Sequence, residues 1–164
     1  MNRPLLKALL PLLLGISSMP AGALDVGASA PALTLPDAAG TALPPADGHV
    51  RLVDFWASWC GPCRHSFPWM NAMQEKYGAQ GLQIVGVNVD EERSDADGFL
   101  AKVPARFQIV FDPSGETPAA WAVKGMPTSY LVGRDGKVLW QHLGFNEADA
   151  PDLEAAIKTA LGSP

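Results

Sequence analysis

Apolar residues along this chain fall into short runs, separated by turn signals and by stretches with helical spacing. "VRLVDFW", Val50 to Trp56, is brief, β-branched and aromatic, and reads as a buried strand although it contains the carboxylate of Asp54. In "PCRHSFPWMNAMQEKYG" the residues Phe67, Met70, Met73, Gln74 and Tyr77 recur at helical spacing, with Gly78 as the stop. "LQIVGVNVD", Leu82 to Asp90, predicts a second strand. "SDADGFLAKVP" predicts a short helix capped by Ser94, "RFQIVFD" a third strand, and "ETPAAWAVKG" a short helix ending at Gly125. "PTSYLVGRDGKVLWQHLG" alternates on both sides of Arg134-Asp135-Gly136-Lys137, and Asp-Gly between two apolar runs predicts a hairpin. The closing "NEADAPDLEAAIKTALG" predicts a helix with Leu153, Ala156, Ile157, Ala160 and Leu161 on its apolar face. Ahead of all these, the Pro/Ala-rich stretch Ala28 to Ala46 holds two apolar pieces around Asp37-Ala38-Ala39-Gly40, which predicts a lead-in hairpin.

The order is βαβ, a helix, a strand, a helix, a β-hairpin and a closing helix. Strands alternating with helices give a parallel core, and the hairpin adds an antiparallel edge. The expected fold is α/β, a mixed sheet with helices on both faces, without internal repeats.

The first residues read differently. "MNRPLLKALLPLLLGISSMPAGALD" opens with Arg3 and Lys7, stays uncharged from Ala8 until Asp25, and contains the small-residue pattern Ala21-Gly22-Ala23. These features predict a secretory signal peptide over residues 1–23, with 24–164 as the mature domain. The competing reading is an uncleaved membrane anchor, which Pro11 and Gly15 weaken as a spanning helix. The formal charge of the whole chain is −5, and loss of Arg3 and Lys7 makes the domain more acidic still. That acidity excludes nucleic acid as a partner. Export leads to a compartment where disulfides persist, such as a bacterial periplasm.

The chain has two cysteines, in Cys60-Gly61-Pro62-Cys63, where a predicted strand ends and a predicted helix begins. A zinc site needs four ligands, and His49, His65 and His142 show no ligand spacing with one another. A disulfide across two intervening residues removes little unfolded-state entropy, so a structural staple is a poor reason for the pair. A redox role fits better. The thiolate is the reactive form, and a helix N-terminus lowers a thiol pKa by directing N–H dipoles at the sulfur. Cys60 has that position, and Cys63 follows one turn on. A CxxC beside a βαβ pattern reads as thioredoxin-like. Asp54 is costly in a core strand unless it works or is paired, for instance with a neighbouring Lys. Trp56 is expected in the core, with Trp69, Trp121 and Trp140 buried or half-buried. His65, just past the pair, reads as an exposed turn residue or a tuner of the thiol.

"VDFWASWCGPCR" resembles the active site of the thioredoxin superfamily, and "KGMPT", Lys124 to Thr128, resembles its cis-proline loop. Pro68 matches the kink proline of the family's active-site helix, and Gly144 falls near a further element of the substrate groove. The lead-in hairpin, "CRHSFPWM", the extra segment Glu91–Phe111 and "FDPSGETPAAWAVKGMPTSYLVGRDGKV" resemble the exported TlpA/ResA-like branch, and the likeness covers Leu24 to Leu161. It implies a thioredoxin fold: a mixed central sheet flanked by helices, with an N-terminal β-hairpin and a central insertion. It implies thiol:disulfide oxidoreductase activity without cofactor or metal. Cys60 is then the nucleophile, Cys63 resolves the mixed disulfide, and Asp54 takes the Cys63 proton. Trp59, Gly61, Pro62, Met126, Pro127 and Gly144 line the client groove.

The implied partners are oxidised client proteins of the cell envelope, apocytochrome c and copper-site assembly proteins among them, and a membrane thiol as electron donor. A monomer is expected. Many members of the branch carry a glutamate where Ser66 stands, an asparagine where Asp54 stands and a dipeptide other than Gly61-Pro62. These departures point to the reducing half of a family range of about −120 to −270 mV. The alternatives are a net oxidant or isomerase of disulfides, and a copper chaperone that uses Cys60, Cys63 and a distant histidine.

Overall fold

A computed structural model describes residues 24–35 and 48–162 of the chain. The leader expected over 1–23 and the lead-in turn Asp37–Gly40 lie outside the described residues. The elements are β1 (Val50–Trp56), α1 (Cys63–Tyr77), a 3₁₀ turn (Gly78–Gln80), β2 (Leu82–Asn88), α2 (Arg93–Leu100), β3 (Gln108–Phe111), α3 (Glu116–Ala120), β4 (Thr128–Val132), β5 (Val138–Leu143) and α4 (Ala150–Gly162). The extra segment expected over 91–111 comprises α2 and β3.

The five strands form one sheet in the order β3-β2-β1-β4-β5. β1 pairs parallel with β2 and antiparallel with β4; β3 runs parallel to β2, and β5 antiparallel to β4. β1 is therefore central, and all seven of its residues are buried, as its unbroken apolar pattern requires.

The crossovers β1–α1–β2 and β2–α2–β3 step in the same direction across the sheet. Right-handed connections then place both helices on one face. On that face Phe67, Met70, Met73 and Tyr77 of α1, Ala96 and Phe99 of α2, and Ile157 and Ala160 of α4 pack on Leu52, Trp56, Ile84 and Ile109 of the sheet. Trp56, Phe67, Phe99 and Phe107 make the aromatic heart of this layer, in edge-on and tilted contacts. The opposite face, with Val53, Phe55, Val85, Val87 and Tyr130, is closed by Trp121 and by Leu24, Leu33 and Leu35 of the lead-in. Around Ser29 the lead-in bridges antiparallel to Lys137, at the start of β5. Among the described residues no helix is long and apolar enough to cross a membrane.

Several boundaries differ from the sequence pattern. Gly78 is helical, with φ −56°, and α1 runs on into the 3₁₀ turn. The chain reverses at Gly81, whose φ of +100° suits a residue without Cβ. Gln74, on the apolar face of α1, is not there to pack. Its amide donates to the Leu82 carbonyl at 3.2 Å and accepts from the Ile84 N–H at 2.8 Å, tying helix to strand. Ser94 is not a cap, because α2 already begins at Arg93 and no side chain caps it. α3 stops at Ala120 rather than Gly125, since Ala122 takes a left-handed φ of +53°. Asp112 holds the approach to α3 by accepting from the N–H groups of Ser114, Gly115 and Thr117.

Gly86 lies at the middle of β2, directly beside Asp54 of β1. A Cβ there would stand 2.8 Å from Ile109 Cδ1 and 3.1 Å from both Phe107 Cε2 and Trp56 Nε1. The Ile109 terminus can swing away, but the two rings are held by their neighbours. Gly86→Ala is expected to lower the unfolding free energy by about 1–3 kcal/mol through overpacking. Urea denaturation of the purified protein checks this; an unchanged midpoint contradicts it.

Candidate active site

β1 ends at Trp56, and the chain crosses Ala57-Ser58-Trp59 before α1 starts at Cys63. The crossing is clamped from β2. Asp90 Oδ2 accepts from the Ser58 N–H at 2.9 Å, and Asp90 Oδ1 accepts from the Ser58 hydroxyl at 2.9 Å. Asn88 holds Asp90 in turn, donating from Nδ2 to Oδ2 at 2.7 Å and accepting the Asp90 N–H at 3.1 Å. This exchange is why β2 stops at Asn88 instead of continuing to Asp90. Asp90 and Asn88 are both buried, so the clamp is a buried polar network with its members satisfied.

Cys60 and Cys63 are joined in a disulfide. No side chain of an ordinary capping residue closes the start of α1; its first N–H, from Cys63, points instead at Cys60 Sγ, 3.2 Å away. The helix thus directs its positive end at the Cys60 sulfur, the geometry that stabilises a thiolate once the bond is reduced. Cys60 keeps 3% of its surface exposed and Cys63 none, so a partner sulfur has access only to Cys60. Ser66, three residues after Cys63, is buried and donates its hydroxyl to the Cys63 carbonyl at 3.2 Å. It is a neutral group consumed by its own helix.

Asp54 is fully buried. Side chains alternate along a strand, so it projects to the same face as Leu52 and Trp56, which share one core cluster with Cys60 and Cys63. Its cross-strand neighbours are Gly86 on β2 and Ser129 on β4. Neither is cationic, so the carboxylate has no lysine there to pair with. The Ser129 hydroxyl donates to Asp54 Oδ1 at 2.6 Å, and Oδ2 has no hydrogen-bond partner among the described residues. Burial pushes the Asp54 carboxyl up to about 7, and the Ser129 hydrogen bond opposes the shift. This group changes charge in the physiological range.

Phe55 of β1 pairs with Thr128 of β4, so the Met126–Pro127 loop leaves the sheet at the same end as the CxxC turn. Trp59 is 70% exposed, and Gly61 and Pro62 are exposed in the turn. The Met126–Pro127 peptide bond is cis. Gly144, at φ +85°, donates its N–H to the Pro127 carbonyl at 2.7 Å, which locks the two loops together. Leu143, beside it, is 59% exposed. His65 is exposed, Trp56 and Trp121 are buried, and Trp69 and Trp140 are half-buried. Among the described residues no three His, Cys, Asp or Glu side chains converge on a common point. Sequence reasoning missed Ser129, Gly86 and the Ser58–Asn88–Asp90 clamp. Ser129 and Gly86 acquire meaning only through register, while the clamp had a signal, since Asn88 and Asp90 are polar residues closing an apolar strand.

A redox-active cysteine pair at a helix N-terminus, on this mixed sheet and over a buried carboxylate, defines a thiol:disulfide oxidoreductase of thioredoxin fold. The Redoxin family model matches residues 25–157. The chain belongs to that family. It is 30% identical over 137 residues to the thiol-disulfide oxidoreductase ResA of Bacillus thuringiensis subsp. konkukian, covering 82% of this chain and 78% of the other. It is 36% identical over 120 residues to the thiol:disulfide interchange protein CycY of Rhizobium leguminosarum bv. viciae, covering 71% and 63%. The crystal structure of a protein from Chlorobium tepidum described as a thiol:disulfide interchange protein DsbE superposes with a TM-score of 0.82 at 56% identity, over 85% of this chain and all of the other.

The raised Asp54 carboxyl has a stability consequence. A group whose folded pKa lies above its unfolded value favours the folded state most at low pH. That contribution is lost as pH rises from the ordinary carboxyl value of 3.8 to about 7. Burying the ionised form therefore costs up to about 4 kcal/mol above neutrality. Asp54→Asn is expected to stabilise the disulfide form, with a larger gain in melting temperature at about pH 8 than at about pH 5. Thermal unfolding at the two pH values decides; an equal gain at both would mean that the carboxyl titrates normally.

Proposed function

We propose that this oxidoreductase is a periplasmic reductase of disulfides in exported proteins, with residues 1–23 a cleaved leader and 24–164 the working domain. The observation that carries the reading is the buried, unpaired Asp54 carboxylate on the dithiol face of the sheet. An ionised carboxylate in a low-dielectric core opposes a second negative charge on the neighbouring sulfurs. It destabilises the thiolate form of the pair and thereby favours passing electrons outward. Strong oxidants of this chemistry gain their potential the other way, from a stabilised reduced form. The uncharged Ser66 adds nothing to offset that opposition.

In the forward direction the Cys60 thiolate attacks one sulfur of a client disulfide. A Cys60–client bond forms, the client S–S bond breaks, and the first client sulfur leaves as a thiolate that takes a proton from water. Asp54, in its ionised form, accepts the Cys63 proton. The Cys63 thiolate attacks Cys60 Sγ, closing the internal disulfide and expelling the second client sulfur, to which the proton passes. Two electrons move from the dithiol to the client, and a membrane thiol donor returns two to the protein. Trp59, Gly61, Pro62, Met126, Pro127 and Gly144 form the surface against which an extended client segment lies. Apocytochrome c and copper-site assembly proteins are the client classes that suit this reading, and the protein works as a monomer.

The expected reduction potential, equilibrated against glutathione, lies in the reducing half of the family range of about −120 to −270 mV; a value near the oxidising end overturns the direction. A Cys63→Ser variant is expected to accumulate a mixed disulfide through Cys60 with envelope proteins, which identifies the client. Asp54→Asn is expected to slow reduction of a model disulfide about ten-fold or more at neutral pH and to flatten the rate between about pH 6 and pH 9. A variant rate equal to that of the wild type throughout that range removes Asp54 from the chemistry.

A further inference from the structure

We propose that the cleft between the CxxC turn and α2 is a second recognition site, in which Arg64 and Lys102 take an acidic side chain next to the client's reacting cysteine. The inference rests on the thiol:disulfide reading above and adds to it a preference in substrate sequence.

The sheet order places the dithiol between two different walls. On the β4–β5 side stand the Met126–Pro127 and Gly144 loops. On the β2–β3 side stands α2, which connects those two strands. Between the CxxC turn and α2 lies a cavity of about 220 Å³, lined by Ser58, Arg64, Ser94, Asp95, Phe99 and Lys102. Ser58 is two residues before Cys60, and Arg64 directly follows Cys63. A side chain one or two positions from a client cysteine bonded to Cys60 therefore comes within reach of this cleft.

Its chemistry is cationic in an otherwise acidic chain of net charge −5. The Arg64 guanidinium carbon lies 5.2 Å from the centroid of the buried Phe99 ring, a cation–π contact that restrains it at the cleft wall. Lys102 follows α2 and is exposed. Among the described residues neither cation has a carboxylate at ion-pairing distance. Asp95 is the acidic member of the lining, so two positive charges face one negative. A carboxylate entering the cleft finds donors from the planar guanidinium and from the ammonium. A cationic residue meets like charge.

The test uses the full mature domain in its reduced form and three synthetic peptide disulfides, alike except for Glu, Gln or Lys beside the cysteine. Reduction is followed by stopped-flow tryptophan fluorescence. The expected order is Glu over Gln over Lys, with Glu favoured about five-fold over Gln at low salt, a preference that shrinks as salt is raised. Arg64→Gln/Lys102→Gln is expected to bring the Glu-to-Gln ratio towards one, and Asp95→Asn to raise it. Equal rates for the Glu and Gln peptides in the wild type, or a ratio unmoved in both variants, overturns the inference while leaving the oxidoreductase intact. Failure to reduce any of the three peptides instead refutes the reading on which the inference rests.

Discussion

A carboxylate in the middle of a strand that is closed on both faces constrains everything around it. The Val50–Trp56 strand has the parallel and antiparallel halves of the sheet on either side and helices or lead-in chain above and below, so Asp54 has no route to solvent. An ionised group in such a place is costly unless it is paired, and the sheet offers it only Gly86 on one side and the Ser129 hydroxyl on the other. The protein resolves the conflict by letting the proton bind more tightly, which brings the carboxyl to about 7. A structural burden becomes a group that changes charge near neutrality.

The same register sets the geometry above the carboxylate. Gly86 lacks a side chain where a Cβ would strike Trp56, Phe107 and Ile109, so the Trp56 indole lies over β2 and roofs the layer holding Phe67 and both cysteines. The loop from Trp56 to Cys60 carries a turn bond of its own, from the Cys60 N–H to the Ala57 carbonyl at 3.1 Å. Asp90 accepts from the Ser58 amide and hydroxyl, and Asn88 holds Asp90 in place, which fixes the path of the loop. The Cys60 sulfur is held at the start of the helix by two independent means: the clamp behind it and the Cys63 N–H in front of it. Preorganisation of this kind removes the ordering cost from the step in which sulfur attacks sulfur.

The strands and helices were legible in the sequence because each is a local pattern. The unbroken run of β1, the spacing of Phe67, Met70, Met73 and Tyr77, and Asp135-Gly136 between two alternating segments each need only neighbours along the chain. The CxxC was legible for the same reason. Boundaries were less so. Gly78 and Gly81 are both plausible stops, and only the backbone shows that Gly81 takes the left-handed conformation. Gln74 looked like a packing residue because its bonds to β2 are tertiary. Asp54 could be singled out as anomalous, but the identity of its partner could not. Ser129 lies 75 residues away and meets it only through the β1–β4 register, which no local pattern encodes.

On the proposed mechanism the buried carboxyl and Cys63 work from the same side of the sheet, where a negative charge on one opposes a negative charge on the other. Two such groups titrate as a pair, and the apparent values belong to the pair rather than to either member. Closing the disulfide removes the thiol from the titration and leaves Asp54 alone with its value near 7. On the proposed mechanism the proton count of the site differs between its two redox states, which couples electron transfer to pH. Ser66 matters here through what it is not. With a neutral residue three positions after Cys63, and with its hydroxyl already committed to the helix, no second carboxylate from that position enters the coupling. The proposed chemistry then needs a single buried acid working with a single buried thiol.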